Sequence, residues 1–477
     1  MKRISILAAV VLSSFLLSMK GEEPSAFIVK PYLQIGQNPS DHSLSILWQT
    51  ADENASWKVE DRTVGTNSWT TVEQPSSNVL SVKGIGVRKL FTVHVDNLQP
   101  GKDFEYRVSK NGQVVFSSIA KAPKAANQPY RFIVNGDIGA ATTDAKLLAE
   151  RAIQQKADLI VIPGDIIYEE GLISEYDEKF WPIYNADKVS HEGAPLLRSI
   201  PFVASPGNHD TEQRDFTKKP DALSYFMFFD QPLNGPKIQE GGPLSPAITA
   251  SAEAKASFMK TAAGRFPVMA NYSFDYGNAH WTVIDSNPYI DVSDSTLAAW
   301  LENDINSASN ATWKFVIFHH PGFSSSIEHF EEQHMRLLSP IFERTGVDVV
   351  FNGHVHNYQR SFPMRFKPFK KGMTVVGGKN NDKVKGRTVG GFWTLDKSFD
   401  GASNTKPKGV IYIVTGAGGQ ELYNPEQNDA PDTWQKFTDK FISNVHSLSV
   451  VDVNDKTFRL QQIAPDGKKI DAFTITK

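Results

Sequence analysis

Short apolar runs recur between residues 130 and 351, and most of them end in a cluster of polar residues. The runs are Phe132–Val134, Leu159–Ile162, Phe202–Val203, Phe315–Phe318 and Val347–Phe351. Runs of this length without alternation are typical of strands that are covered on both faces. Patterns of helical spacing lie between the runs, and strands that alternate with helices fold into layered α/β domains. We therefore predict an α/β domain over residues 128–477.

Three stretches of this region carry apolar residues at helical spacing, namely 143–156, 294–306 and 335–342. In residues 294–306, for example, the spacing runs i, i+3, i+4 and i+8, which indicates an amphipathic helix. The three stretches are therefore predicted as helices that pack against the sheet.

Residues 448–477 return to strand-like alternation around an Asp466-Gly467 turn, which predicts edge strands of the same domain. Residues 234–265 and 365–407 are rich in Gly, Pro, Ala, Ser or Lys, and we predict loops or insertions there.

The N-terminal part, residues 24–122, has a different pattern. Apolar and polar residues alternate in 44–48, 91–95 and 104–108, and Asn111-Gly112 is a strong hairpin signal. Strand signals at intervals of 8–12 residues predict an all-β sandwich. The turn from Leu98 to Phe104 resembles that of fibronectin type III domains, which implies a fibronectin III-like sandwich ahead of the α/β domain.

The first twenty residues read as a signal peptide. A basic start, Met1-Lys2-Arg3, precedes the apolar segment Ile4–Leu17, which is short for a membrane span. This pattern predicts a secreted, periplasmic or cell-surface protein, with an uncleaved anchor as the alternative. No later stretch is apolar enough to span a membrane, so none is expected after signal removal.

Composition excludes several classes of function. The chain has 50 Lys and Arg against 53 Asp and Glu in 477 residues, so bulk positive charge does not hold it to nucleic acid. It contains no Cys, which excludes disulfides, thiol nucleophiles and Cys-ligated metals. Metal ligands must then come from His, Asp, Glu, Asn and Tyr.

Five polar clusters follow the strand-like runs and contain metal-ligating side chains. They are Gly136–Gly139, Gly164–Tyr168, Gly207–Asp210, His319–His320 and Gly353–His356. In layered α/β folds, ligands bind beyond the carboxyl ends of the strands, where these clusters fall. Together they offer two Asp, one Tyr, one Asn and three His, a donor set suited to two cations. The sequence therefore predicts a dinuclear metal centre.

With these clusters the chain resembles the purple acid phosphatases of the calcineurin-like metallophosphoesterase superfamily. The resemblance is most specific at Gly164–Tyr168 and at Gly353–Arg360. It implies an α/β fold of metallophosphoesterase type, a four-layer β-sandwich flanked by helices. Matched position by position, it implies a first metal on Asp137, Tyr168 and His356. It implies a second metal on Asn208, His319 and His354, with Asp165 as the bridge.

The donor types imply the kinds of metal. A phenolate and carboxylates suit Fe³⁺ in the first site, because a strongly charged cation lowers the pKa of its ligands. Two neutral imidazoles and an amide suit a divalent ion, Zn²⁺, Fe²⁺ or Mn²⁺, in the second site.

The resemblance implies an acid phosphatase that cleaves small phosphate monoesters by attack of a metal-bound hydroxide. His209 is the first candidate for a catalytic role, either binding phosphate or protonating the leaving oxygen. His329 is the second candidate, because plant-type relatives carry a substrate histidine near that place.

Several other residues near the clusters have less specific signals. His320 is expected to support a ligand, while Asp210 either orients His209 or caps a helix. The basic segment 365–387 either attracts anionic substrates or is a solvated loop. Gly416–Gly419 resembles a glycine-rich turn of the same family.

Three alternatives stay open at this point. The same metal centre could serve a phosphodiesterase or nucleotide hydrolase, because leaving-group selection lies in loops. The chain could instead be a secreted surface binding protein, although that predicts broken metal clusters. A redox-active iron pair would allow a peroxidative role. The sequence does not determine the oligomeric state.

Overall fold

The computed structural model describes residues 25–370, 374–375 and 387–477. The predicted signal peptide at residues 1–20 lies outside the described residues. Most of the basic segment 365–387 also lies outside them, namely residues 371–373 and 376–386. Within the part that is described, none of the helices combines the length and the apolar composition of a membrane crossing.

Eight strands form two facing sheets in the N-terminal part of the chain. They are β1 Val29–Gln34, β2 Leu44–Ala51, β3 Trp57–Thr63, β4 Thr70–Thr71, β5 Ser76–Leu80, β6 Arg88–Val95, β7 Asp103–Lys110 and β8 Gln113–Lys121. The sheet orders are β1-β2-β6-β5 and β4-β3-β7-β8. In the core between them, the ring of Trp48 on β2 stacks on that of its cross-strand neighbour Phe91 on β6, with centroids 5.0 Å apart. Asn111 and Gly112 both have positive φ in the β7–β8 hairpin, as the two-residue turn requires. This part is strand-rich, as predicted.

Nineteen further strands follow in the described residues. The first ten are β9 Tyr130–Val134, β10 Leu159–Pro163, β11 Asn185–Ser190, β12 Gly193–Pro195, β13 Phe202–Ser205, β14 Tyr272–Tyr276, β15 Ala279–Val283, β16 Trp313–Ile317, β17 Val349–Asn352 and β18 Tyr358–Ser361. The others are β19 Met364–Pro368, β20 Thr374–Val375, β21 Arg387–Thr388, β22 Gly391–Leu395, β23 Ile411–Thr415, β24 Thr438–Ile442, β25 Leu448–Asn454, β26 Thr457–Ile463 and β27 Lys469–Thr476.

Two large sheets pack face to face at the centre of the molecule. One has the order β27-β26-β25-β9-β10-β13-β1-β2-β6-β5 and the other β14-β15-β16-β17-β23-β18-β24. Strands β9, β10 and β13 are parallel, as are β15, β16, β17 and β23. Phe132 and Val161 of the first sheet meet Trp281, Phe315 and Phe351 of the second in a fully buried core. Apolar runs fill both inner faces because each sheet is also covered outside.

Helices cover the outer faces of the two sheets. Their bounds are α1 Thr143–Gln154, α2 Ile173–Glu175, α3 Trp181–Tyr184, α4 Tyr225–Phe228, α5 Ala252–Ala262, α6 Ser295–Ser307 and α7 Ser339–Thr345. A π-helical turn, Tyr176–Phe180, joins α2 to α3. Short 3₁₀ helices lie at His209–Thr211, Val268–Ala270, His334–Leu338, Pro425–Gln427 and Pro431–Thr433. Two sheets between two helical layers make the four-layer metallophosphoesterase architecture that the resemblance implied.

Side-chain caps begin the longer helices. Thr142 Oγ1 accepts from the Ala145 amide at the start of α1, and Asp294 Oδ1 accepts from the Thr296 amide at the start of α6. Leu297, Leu301 and Ile305 then lie buried along one face of α6, as the spacing predicts. The third predicted helix is divided into a 3₁₀ helix and α7, because Pro340 offers no amide to continue the hydrogen-bond ladder.

The two parts of the chain share a sheet, which the sequence did not indicate. Strand β1 pairs in parallel with β13 at Gln34 and Phe202, and Gln34 Nε2 donates to the Phe202 carbonyl at 3.1 Å. The N-terminal sheet thereby continues the larger one. The division into residues 24–122 and 128–477 stays a prediction.

Two predictions of loops were wrong in part. Residues 234–265 contain α5, which Ser251 caps by accepting from the Ala254 amide. Residues 365–407 contain most of the antiparallel pair β19–β22. Helix α5 is rich in Ala, Ser and Lys, a composition from which the sequence predicted a loop. Residues 448–477 form strands β25 to β27 at one end of the large sheet, with β27 as the edge strand.

Candidate metal centre

The predicted metal ligands lie where strands of the two central sheets end. In the first sheet, Asp137 follows β9, Asp165 and Tyr168 follow β10, and Asn208 follows β13. In the second sheet, His319 follows β16, while His354 and His356 follow β17. Because the sheets pack face to face, the strand ends meet at one edge of the sandwich. The structure thus brings all seven side chains together.

Asp137, Tyr168 and His356 form one group. Tyr168 Oη lies 3.2 Å from Asp137 Oδ1 and 3.2 Å from His356 Nε2, and His356 Nε2 lies 3.5 Å from Asp137 Oδ1. All three side chains are buried. The amide of His354 donates to both Asp137 oxygens, at 3.0 and 2.9 Å, and orients the carboxylate.

Asn208, His319 and His354 form the second group. Asn208 Oδ1 lies 3.0 Å from His319 Nε2 and 3.0 Å from His354 Nδ1. Asp165 Oδ2 lies 3.2 Å from His319 Nε2, and Asp165, His319 and His354 can hold one ion between them. The second group therefore includes the predicted bridging carboxylate.

Asp165 lies between the two groups. Besides its contact with His319, its charge raises the pKa of Tyr168, after burial and the charge of Asp137. Burial opposes ionisation of Asp165 itself, but the charges of His319 and His209 outweigh it and lower the pKa of this carboxyl. One carboxylate thus faces donors of both groups, which is the position that a bridging ligand needs.

Two backbone carbonyls orient the imidazoles of His319 and His356. His319 Nδ1 lies 2.8 Å from the Pro163 carbonyl, and His356 Nδ1 lies 2.8 Å from the Glu421 carbonyl. A carbonyl only accepts, so both Nδ1 atoms carry a hydrogen, and Nε2 is the atom of each ring that is available to a cation. These Nε2 atoms face oxygens of Asp165, Asn208, Tyr168 and Asp137. Hydrogen bonds join these groups here, and cations can replace the bridging hydrogens because metal ligands bind in their deprotonated forms.

Without a cation, Tyr168 keeps its phenol hydrogen. Burial and the charges of Asp137 and Asp165 raise the pKa of this phenol well above its usual value near 10. A strongly charged cation would lower the pKa of Tyr168 instead, because it stabilises the phenolate directly.

Three of the seven donors have left-handed backbone. The φ angles are 60° at Asp137, 49° at Asp165 and 68° at His354. This conformation costs most L residues about 1–2 kcal/mol. Such strain concentrates at functional sites, where the surrounding structure enforces it.

Two glycines allow the donors to approach each other. A Cβ at Gly207 would lie 2.1 Å from Asp165 Oδ1, and a Cβ at Gly164 would lie 2.4 Å from His319 Nδ1. Gly164 also has a φ of +83°, which favours glycine. The glycines of these clusters therefore make room for the ligands.

His209 and His329, the predicted catalytic residues, both border the two groups. His209 Nδ1 donates to the Glu169 carbonyl at 2.8 Å, and its ring lies 4.4 Å from that of Tyr168. The His329 ring lies 4.1 Å from that of His354, and its Nδ1 lies 2.9 Å from Glu332 Oε1. Nδ1 of each ring therefore has a hydrogen-bond partner in the protein, and Nε2 is available for a ligand.

Other predicted residues have structural partners. His320 lies against His354, with ring centroids 4.2 Å apart, and its Nδ1 lies 3.0 Å from Ser286 Oγ. Asp210 neither contacts His209 nor caps a helix; it accepts from the Gly207, Ile166 and Ile167 amides and ties two ligand loops together. A Cβ at Gly416 would lie 2.7 Å from Asp137 Oδ2, so this turn closes over the first group.

Two residues of the site carried no signal in the sequence. Glu332 Oε2 lies 2.8 Å from His354 Nε2, and the Tyr423 ring stacks on His356. Glu332 and Tyr423 each belong to a loop without a motif. Only the spacing of Glu332 from His329, and the position of Tyr423 after Gly416–Gly419, could have drawn attention to them.

The chain is similar to known phosphoesterases. The family model described as calcineurin-like phosphoesterase matches residues 130–358. Purple acid phosphatase 18 of Arabidopsis thaliana is 25% identical over 326 residues, and probable inactive purple acid phosphatase 1 of the same plant is 24% identical over 420 residues. The matches cover 67% and 81% of this chain but only 64% and 58% of those proteins, less than two thirds of their length.

Solved structures share the fold. Purple acid phosphatase PPD1 from yellow lupin (Lupinus luteus) seeds superposes with a TM-score of 0.64 and 16% identity, over 94% of this chain and 74% of that one. A structure of PhoD gives a TM-score of 0.57 and 14% identity, over 95% and 94% of the two chains. At these identities the likeness concerns the architecture alone.

Proposed function

Because residues 130–358 form a calcineurin-like phosphoesterase domain, we propose that this protein is an acid phosphatase with a dinuclear metal centre. Its substrates are small phosphate monoesters. The proposal rests above all on the convergence of seven metal-ligating side chains at one edge of the two sheets, where His319 Nε2, His354 Nδ1 and His356 Nε2 each lie within 3.2 Å of an oxygen of another member.

Asp137, Tyr168 and His356 would hold a first cation, Fe³⁺, and Asn208, His319 and His354 a second, divalent cation, with Asp165 shared between them. The second ion is Zn²⁺, Fe²⁺ or Mn²⁺. When bound, the two cations polarise a phosphoryl oxygen and lower the pKa of bound water toward neutrality. The anionic donors hold the first ion, and the neutral donors leave charge on the second to attract phosphate.

The chain's own residues orient the substrate. The hydrogen bond from His209 Nδ1 to the Glu169 carbonyl leaves Nε2 free to contact a phosphate oxygen. His329 is held in the same way by Glu332 through Nδ1. Two imidazoles at the rim of the site can therefore bind phosphate or deliver a proton to the leaving oxygen.

We place this activity outside the cytoplasm, in the secreted, periplasmic or cell-surface fraction. The support is the basic start followed by the apolar segment Ile4–Leu17. The absence of Cys is compatible with export.

The test uses purified protein with its metals. We expect p-nitrophenyl phosphate to be hydrolysed at least ten times faster than bis(p-nitrophenyl) phosphate. The reverse order would assign the centre to a phosphodiesterase, and no turnover of either ester with two cations bound would refute the proposal.

The identity of the first metal is tested separately. We expect elemental analysis to find iron and the visible spectrum to show a phenolate–Fe³⁺ band. Tyr168→Phe should remove that band, because it removes the phenolate. Active protein without iron would contradict this metal while leaving the hydrolase proposal intact.

A further inference from the structure

Glu332 joins two of the histidines described above. Its Oε2 lies 2.8 Å from His354 Nε2, and its Oε1 lies 2.9 Å from His329 Nδ1. The Glu332 side chain is 17% exposed and the His354 side chain 6%, so water competes little for the bond between them. Each oxygen of this carboxylate accepts a hydrogen bond from a different imidazole. Because the group is also shielded from solvent, it is held in one orientation.

The bond to Glu332 determines which His354 nitrogen is free. An ionised carboxylate only accepts hydrogen bonds, so Nε2 must carry the hydrogen. The lone pair then lies on Nδ1, which is the atom 3.0 Å from Asn208 Oδ1. An imidazole that binds a metal is neutral, so the ring carries one hydrogen and one lone pair. Without Glu332 the hydrogen could move to Nδ1 and block coordination.

His354 differs from the other two imidazoles in this respect. His319 and His356 donate to neutral backbone carbonyls, of Pro163 and Glu421. The partner of His354 is an anion instead. A carboxylate partner makes an imidazole a better electron donor to a metal, and loss of such a partner lowers metal affinity about 10–100-fold.

The backbone around Glu332 is itself fixed. The Gln333 amide donates to the Arg387 carbonyl at 2.8 Å, and the Val389 amide donates to Gln333 Oε1 at 3.2 Å. Glu332 and Arg387 also form an isolated parallel bridge. These contacts attach the segment to β21 and its continuation, so the carboxylate is presented by a supported backbone.

We propose that Glu332 is a positioning residue that selects the His354 tautomer and strengthens the second metal site. The inference rests on the proposed dinuclear centre. It goes beyond that centre because Glu332 touches neither cation. Nevertheless, this residue would control how strongly one of the two cations is bound. Through its other oxygen, the same carboxylate also fixes His329 beside that site.

The experiment compares Glu332→Ala and Glu332→Gln with wild-type protein. Zn²⁺ binding is measured in competition with a chromophoric chelator, and the His354 tautomer of metal-free protein is measured by ¹⁵N NMR of histidine-labelled samples. We expect Glu332→Ala to weaken one of the two Zn²⁺ equilibria 10–100-fold and to populate the Nδ1–H tautomer. Glu332→Gln, which retains an acceptor but no charge, should keep the tautomer and weaken binding less than the Ala variant.

The matched control is Glu331→Gln, the same chemical change at an exposed neighbour, which should leave both readouts unchanged. Circular dichroism verifies that each variant is folded. Unchanged Zn²⁺ binding and tautomer in Glu332→Ala would overturn the inference. If both readouts follow the expected order in protein that hydrolyses no phosphate ester, the inference stands and the proposed function fails.

Discussion

His356 and Tyr423 stack with ring centroids 4.0 Å apart and planes 15° from parallel. The Tyr423 amide also donates to the His356 carbonyl at 3.0 Å, and His356 Nδ1 donates to the Glu421 carbonyl at 2.8 Å. Residues 421–423 therefore hold both the plane and the tautomer of this imidazole. Because His356 belongs to the proposed first metal site, a loop remote in sequence supports one of the two cations.

Replacing Tyr423 with Ala should weaken the first site about three- to tenfold. A stacked aromatic pair contributes about 0.5–1.5 kcal/mol beyond its buried area, and 1.4 kcal/mol corresponds to a factor of ten in affinity. Metal content after dialysis against graded chelator concentrations measures the effect. Tyr423→Phe keeps the ring and should behave like wild type, so equal metal retention in the Ala and Phe variants would show that stacking contributes nothing.

The convergence of the seven proposed ligands could be predicted from the sequence because each signal is local. A buried strand, a glycine and a donor side chain stand next to each other at Gly136-Asp137, Gly164-Asp165 and Gly353-His354. The sheet topology then places the strand ends at one edge. The residue types limit the chemistry further, since three His, two Asp, Asn and Tyr suit cations.

The supporting residues could not be predicted because their contacts are made across loops. Glu332 lies 22 positions from His354, and nothing in its neighbours distinguishes it from a solvated glutamate. Tyr423 reaches His356 only because the chain after β23 folds back over the site. Contacts of this kind depend on loop conformation, for which a single sequence has no periodic signal.

The same limit applies to the fold. Strand β1 joins β13 through a single parallel pair, Gln34 and Phe202, and parallel neighbours so far apart in sequence leave no pattern. Helix α5 was missed because only Phe258, Thr261 and Ala262 are buried along its eleven residues, which gives weak helical periodicity.

Asp165→Asn should lose both cations and nearly all turnover. The amide is neutral and is a poorer ligand than a carboxylate shared between two ions, so neither site keeps its anionic bridge. Elemental analysis of the purified variant measures the loss. Asp187→Asn is a suitable control, since that carboxylate is largely exposed and pairs only with basic side chains. Full metal content in Asp165→Asn would contradict the bridging assignment.

Gly207→Ala should expel cations although it replaces none of the proposed ligands. The new Cβ would lie 2.1 Å from Asp165 Oδ1 and 2.2 Å from the Asp165 amide nitrogen, so the carboxylate must move. Overpacking of this kind costs about 1–3 kcal/mol of stability as well. Gly86→Ala is the matched control, because a Cβ there meets nothing within 4 Å. Metal content and thermal unfolding report the two effects. A Gly207→Ala protein with normal metal content would show that Asp165 tolerates displacement.

His280 should make the free energy of unfolding depend on pH in alkaline solution. Burial lowers the pKa of His280, but hydrogen bonds to Asp275 at 2.8 Å and Asp304 at 3.1 Å outweigh it and raise the pKa to about 9. The side chain is only 8% exposed, so solvent screens these contacts weakly. In the unfolded chain the pKa of His is about 6.5.

Because the folded pKa is the higher one, the charged pair stabilises the fold fully below about pH 6.5. This contribution is lost as the pH rises through about 9, and it amounts to about 3 kcal/mol at a conversion of about 1.4 kcal/mol per pH unit. Urea unfolding at pH 6 and pH 10 should therefore show a smaller pH-dependent loss in His280→Gln than in wild type. His191→Gln, a change at an exposed histidine, should keep the wild-type loss. Equal losses in all three proteins would mean that the pair with Asp275 and Asp304 does not stabilise the fold.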